Sequence, residues 1–169
     1  MSVGLTADMR AIIQAAHLCF AATVSPDGMP NVSPKGAIRV WEDEHLFFLD
    51  LASPGTRRNL QARPWMELNV VEPLSRRGYR FFGPVTLHVG DTVFGDATRR
   101  VRGEARSSLP VAAVVLLTVE RAAPLVSPGY WSVADESAMR ALWRKRRAAL
   151  DEEFEAYLAQ AEPFRPSRE

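Results

Sequence analysis

The sequence is poor in sulfur and imidazole chemistry. It holds one cysteine, Cys19, so no disulfide can form within the chain. Cys19 sits in the apolar run Leu18–Val24, where a small buried thiol is expected rather than a nucleophile. The three histidines, His17, His45 and His88, are scattered without His-Glu-x-x-His or similar spacing, so no metal site is expected. No apolar run approaches the roughly 20 residues that span a bilayer, and no basic N-terminal segment leads into an apolar one. A cytoplasmic protein that makes no membrane contact is the expectation. A net charge of +1 gives no general attraction to nucleic acid. Neither Gly-x-Ser-x-Gly nor Gly-x-Gly-x-x-Gly occurs, which removes the hydrolase elbow and the dinucleotide fingerprint. Lysine is scarce as well: Lys35 and Lys145 are the only two, and the other cationic side chains of this class are arginines.

What remains is a chain of short strands. A length of 169 residues fits one domain spanning 1–169. Thr6 is placed to cap a first helix, in which Met9, Ile12, Ile13 and Ala16 recur at helical spacing. Six strands are expected at Leu18–Ser25, Asn31–Trp41, Leu46–Leu51, Trp65–Glu72, Gly78–Val89 (bent at Gly83-Pro84) and Val111–Glu120. A two-turn helix after Ser53 closes before Pro64. Asp91–Ser107 reads as partly helical, Ala122–Ser132 as a loop, and Asp135–Ala161 as a long terminal helix. Strands joined at close spacing and flanked by a few helices predict a small, mainly β, α+β barrel.

The stretch from Asn31 to Leu60 carries the chemistry. Alternation puts Asn31, Ser33, Lys35, Ala37 and Arg39 on one face of the second strand. Val32, Pro34, Gly36, Ile38 and Val40 share the other, which is expected to face the core. Pro34 cannot donate to a ladder, so the strand is an edge or is irregular there. Gly36 leaves room for close approach to the main chain. A flat heterocycle with ring acceptors suits such a strand, although lysine and proline are also ordinary on a solvated edge. Ser53 and Pro54 then open a helix with Thr56, Arg57 and Arg58 in or near its first turn. Cations there oppose the helix dipole, at a cost of roughly 0.3–1 kcal/mol each. The same end attracts anions, and guanidinium binds phosphate bidentately, so a phosphate clamp is one reading. Solvated arginines, or pairs with Asp50 or other acids, are the alternative.

Three segments together resemble the flavin-binding split β-barrel proteins related to pyridoxamine 5′-phosphate oxidase. They are Ala22 to Gly36 (Ala-Thr-Val-Ser-Pro-Asp-Gly-Met-Pro-Asn-Val-Ser-Pro-Lys-Gly), Ser53 to Leu60 (Ser-Pro-Gly-Thr-Arg-Arg-Asn-Leu) and Ser75 to Gly83 (Ser-Arg-Arg-Gly-Tyr-Arg-Phe-Phe-Gly). The resemblance implies a six-stranded split barrel, a homodimer and FMN at the dimer interface. It places Ser33, Pro34, Lys35, Gly36, Ala37 and Ile38 along the flavin ring and ribityl chain, with Lys35 toward the pyrimidine edge. Thr56, Arg57, Arg58 and Asn59 would hold the phosphate. Tyr79, Arg80 and Phe81 would complete the site from the second subunit. The family also includes members that use a deazaflavin or bind haem. Its pyridoxamine phosphate oxidases share a C-terminal segment with Trp, Arg and a terminal Pro that binds substrate, whereas this chain carries the helix Asp135–Ala161. The expectation is an FMN-dependent oxidoreductase acting on a small molecule, with NAD(P)H as an electron donor. A carrier or sensor holding flavin, deazaflavin or haem without turnover is the alternative.

Two further features draw bland readings. Arg140, Arg144, Lys145, Arg146 and Arg147 form a basic stretch. Asp151, Glu152, Glu153 and Glu155 follow directly, so a solvated helix face is expected rather than an RNA-binding one. Tyr130 and Trp131, in a Pro-Gly loop, are read as covering the core or a ligand.

Overall fold

The computed structural model describes residues 1–16, 18–36, 38–105 and 109–162. They form two compact units: one joins Met1–Glu72 to Arg77–Val126, and the other joins Pro73–Arg76 to the chain from Ser127 onward. The first holds helices α1 (Ala7–Ala15), α2 (Pro54–Ala62) and α3 (Thr92–Ala105). Its strands are β1 (Cys19–Val24), β2 (Pro30–Lys35), β3 (Arg39–Glu42), β4 (His45–Asp50), β5 (Trp65–Glu72), β6 (Arg77–His88), β7 (Ala113–Thr118) and β8 (Arg121–Val126).

The strands are antiparallel and run β2-β1-β5-β6-β7-β4-β3, with β8 on β6. This is a split β-barrel with eight strands, where the sequence predicted six. One extra strand arises because the predicted strand Asn31–Trp41 breaks after Lys35. Its first half pairs with β1 and its second half with β4. The other is β8, expected as loop. Its Pro124 and exposed small residues show no alternation, and its pairing with Arg77–Phe82 is a main-chain matter.

The split is made by β6. Residues Arg77–Pro84 pair with β5, and Val85–His88 pair with β7. The change falls at the predicted bend, Gly83-Pro84. There a Cβ on Gly83 would stand 1.9 Å from the Thr118 carbonyl oxygen. Phe82 O accepts from Glu120 N–H at 2.9 Å, and Pro64 O accepts from Val85 N–H at 2.8 Å.

The barrel interior is filled from α1 by Met9, Ile12 and Ile13, from β1 by Cys19 and Ala21, and from β5 and β6 by Met66, Leu68, Val70 and Phe81. Thr6 caps α1 as expected, its Oγ1 accepting from Met9 N–H. A smaller apolar cluster joins Phe47 and Val114 to Ala97 and Val101 of α3. Burial of the Cys19 thiol pushes its pKa up to about 12, so it is an inert core group as the sequence implied.

The second unit holds a 3₁₀ turn, Pro128–Trp131, and α4 (Glu136–Leu158), capped by Asp135 through Ala138 N–H. Tyr130 Oη donates to Ser75 O at 2.7 Å, whereas Trp131 is almost wholly exposed. The Arg76 guanidinium lies 4.2 Å from the centre of the Trp143 ring. Among the described residues, no helix is long and apolar enough to cross a membrane.

Candidate functional site

β2 presents its faces the other way round from the expectation. Val32 is 63% exposed and Pro34 is exposed, while Lys35 is 5% exposed. The polar face, with Asn31 and Ser33, turns toward α2, which packs on β1 and β2. The reason is that the inner partners are polar. Asn59 Nδ2 on α2 donates to Thr23 Oγ1 at 3.0 Å, and Thr23 Oγ1 donates to Asn31 Oδ1 at 3.3 Å. A buried row of donors and acceptors outcompetes Val32 for the inside position, since each would cost about 1–3 kcal/mol if stranded there.

Lys35 is the centre of this row. Its Nζ donates to Ser33 Oγ and to Ser53 Oγ, both at 2.6 Å, and sits 5.5 Å from the Phe48 ring centre. An ammonium has three donors, so one remains for a ligand. Burial lowers the Lys35 pKa, and the Asp50 carboxylate works against that shift. Ser53 is the N-cap residue of α2, yet no side chain caps the helix; the Ser53 hydroxyl instead accepts from Lys35. The first turn of α2 also lacks an acid. Free N–H groups and a buried ammonium therefore meet at one place, which is the donor set an anion needs.

The two arginines are not equivalent. Arg57 donates to Asp50 Oδ2 at 2.9 Å, and the other oxygen of this nearly inaccessible carboxylate accepts from Ser53 N–H at 2.9 Å. Arg58 is exposed, and among the described residues no acid pairs with it. Thr56 and Asn59 are buried. Gly36 and Gly55 both face open space where a side chain would stand, leaving the main chain of the strand end and of the helix start open to a ligand.

The remaining predicted residues lie elsewhere. Ile38 is 1% exposed in the core, and Ala37 lies outside the described residues, as does His17. Tyr79 is three strands from Lys35 along the row Lys35–Cys19–Val70–Tyr79, about 14 Å at ordinary strand spacing. Its hydroxyl donates to Asp8 Oδ2 at 2.5 Å, beside an Arg77–Asp8 ion pair of 2.9 Å. Arg80 pairs with Glu67 at 3.0 Å. Phe81 has no exposed surface: alternation along β6 points it into the barrel and leaves it no face for a ligand. Within one chain these three do not join the Lys35 cluster. Sequence reasoning overlooked Thr23 as part of that cluster. The signal was a polar side chain at an inward position between Ala21 and the strand end.

The fold and this cluster define a split β-barrel domain in which a buried ammonium stands at the uncapped start of a helix. The sequence model for pyridoxamine 5′-phosphate oxidase matches residues 5–126, and the chain belongs to that family. None of the curated proteins matches it. Among solved structures, HupZ of Group A Streptococcus is similar at 31% identity, with 72% of this chain and 94% of that one covered and a TM-score of 0.63. An FMN-binding protein from Syntrophomonas wolfei shares the fold at 16% identity, with 70% and 84% covered and a TM-score of 0.58. The haem storage protein HutZ from Vibrio cholerae shares it at 19% identity, with 73% and 95% covered and a TM-score of 0.58.

Proposed function

We propose that this protein is an FMN-binding oxidoreductase that works as a homodimer on a small-molecule substrate. The observation that carries the reading is the meeting of Lys35 with the uncapped start of α2. The N–H groups at the start of α2 would hold the FMN phosphate, with Thr56 and Arg58 as its side-chain ligands. Arg57 supports it from its seat on Asp50. The ring would lie along Ser33, Pro34, Lys35 and Gly36, and the free donor of Lys35 would meet a ring acceptor. When bound, the flavin supplies two-electron transfer; the chain supplies position and charge. Ser33, Ser53, Thr23, Asn31 and Asn59 are neutral hydrogen-bonding groups, and the ionisable groups beside them are Lys35, Asp50 and Arg57.

A homodimer is supported by the outer face of the sheet β2-β1-β5. Phe20, Val24, Val32, Trp65 and Val71 are each at least about a third exposed there, which is unusual for a monomer's sheet face. Tyr79 and Arg80 would then enter a site from the second subunit, or serve only the barrel that holds them.

A second reading, a haem carrier without turnover, is favoured by the fold shared with HutZ. The visible spectrum of the purified protein separates the readings. A flavin spectrum, with rapid bleaching by NADPH or NADH and recovery on adding an acceptor, is the expected result. A flavin that no donor reduces leaves a carrier, and a Soret band replaces flavin with haem. A colourless protein that also binds neither added FMN nor deazaflavin overturns the proposal.

A further inference from the structure

Helix α4 carries an apolar stripe with charge on either side of its midpoint. Leu150, Phe154 and Tyr157 are 57%, 57% and 64% exposed, and Trp143 continues the stripe toward the N-terminus. Arg144, Lys145, Arg146 and Arg147 lie on the N-terminal side of Leu150, and Asp151, Glu152, Glu153 and Glu155 on the C-terminal side. This order runs against the helix dipole, because acids crowd the C-terminal half and the last turn has no base. Among the described residues the one bridge between the two blocks is Arg147–Asp151, loose at 3.8 Å and about two-thirds exposed on both sides. A pair of this kind contributes little. Trp143 is covered by Arg76, but the exposed part of the stripe from Leu150 to Tyr157 and the charge order around it are left without a complement within the described residues.

We propose that α4 pairs antiparallel with α4 of a second copy of this chain, about a two-fold axis through Leu150. The charge order decides the direction. An antiparallel pair sets each basic block against an acidic one and opposes the two dipoles, while a parallel pair sets base against base. With Leu150 on the axis, Arg147 faces the partner's Glu153, and Trp143 faces Tyr157 of the partner subunit. The pairing is isologous, as a two-fold contact must be. A groove of about 270 Å³ between the segment Pro73–Arg76 and α4 lies on this stripe, with Leu74, Trp143 and Leu150 as walls and Arg76 among its lining. The partner's Tyr157 enters it between Leu74 and Leu150, at the edge of the Trp143 ring whose face Arg76 covers at 4.2 Å. This pairing lies outside the family match, which ends at residue 126, and does not depend on any cofactor.

Cysteine cross-linking of the full chain tests it. Cys19 is buried with a raised pKa, so a thiol placed by Leu150→Cys is the reactive one. Mild oxidation is expected to give a disulfide-linked dimer as the main species, while Trp131→Cys, exposed and off α4, stays uncoupled. In the Leu150→Cys background, Arg147→Glu lowers the yield at least about tenfold and adding Glu153→Arg restores it, because the pair is then reversed on both sides. Circular dichroism checks that each variant keeps its helix. A Leu150→Cys chain that remains a free thiol overturns the proposal. So does cross-linking equal to that of Trp131→Cys, or a charge swap that fails to restore coupling. Capture of RNA or another protein by α4 without self-coupling overturns it too.

Discussion

Lys35 Nζ lies 2.6 Å from Ser53 Oγ, the hydroxyl of the N-cap residue of α2. Ser53 stands where an N-cap belongs, but its oxygen turns to a buried ammonium and caps no N–H of the helix. The helix start keeps its free N–H groups and gains a positive neighbour. Both favour an anion, and neither is relieved by an acid of the first turn.

Lys35→Met should leave the apoprotein as stable as the parent at pH 7 within about 1 kcal/mol, since the cost of burying the cation offsets its bonds to Ser33 and Ser53. FMN affinity should fall at least about tenfold. The pH dependence gives a second readout. Burial depresses the folded pKa of Lys35 below 10.5, so the unfolded chain holds the proton more tightly. Stability from this group therefore rises as pH climbs through the folded value toward 10.5. Urea unfolding at pH 7 and 10.5 should show that rise in the parent, reduced in Lys35→Met.

Arg57 and Arg58 should separate in their effects. Arg57→Ala strands the Asp50 carboxylate, which keeps only Ser53 N–H among the bonds described above. The expected loss is about 1–3 kcal/mol, discounted because Arg57 is about one-third exposed. Arg58→Ala should change stability by no more than about 0.5 kcal/mol. It should weaken FMN binding while leaving riboflavin binding unchanged. Denaturant curves and parallel titrations of both ligands measure this.

Much of the site could be read from sequence because it is local. Ser53, Pro54 and the arginines sit within one turn, and a helix start leaves a strong local trace. Asp50 was also within reach, as an acid close enough in sequence to pair with them. The inward face of β2 was not legible. Alternation names two faces and not which is inside, and the choice was made by Asn59, remote in sequence, acting through Thr23 across the hairpin. Tyr79 and Arg80 are three strands away for the same reason: strand order is a long-range property. The bend at Gly83-Pro84 was legible because glycine and proline restrict the chain wherever they stand.

Gly83→Ala should destabilise the barrel by more than about 3 kcal/mol, in the range reserved for severe steric defects. The added methyl meets the Thr118 carbonyl at 1.9 Å, and backbone on both sides must move. Gly36→Ala, which meets open space, should not. Thermal unfolding of the two variants makes the comparison.

Asp8 should contribute acid sensitivity. The Tyr79 hydroxyl and Arg77 hold its pKa below 3.8, and the same contact raises that of Tyr79. A carboxylate depressed in the folded state stabilises above its unfolded pKa, and that contribution is lost as pH falls through the folded value. Tyr79→Phe should flatten the loss of stability below about pH 4 relative to the parent. Unfolding midpoints across pH 2.5–6 provide the readout.

The most direct measurement is a paired titration of the purified chain with FMN and riboflavin, followed by flavin fluorescence or calorimetry. One FMN per chain, bound at least about tenfold tighter than riboflavin, is predicted from a phosphate seated on α2 beside Lys35. No FMN binding, or equal affinity for the two, would contradict the account.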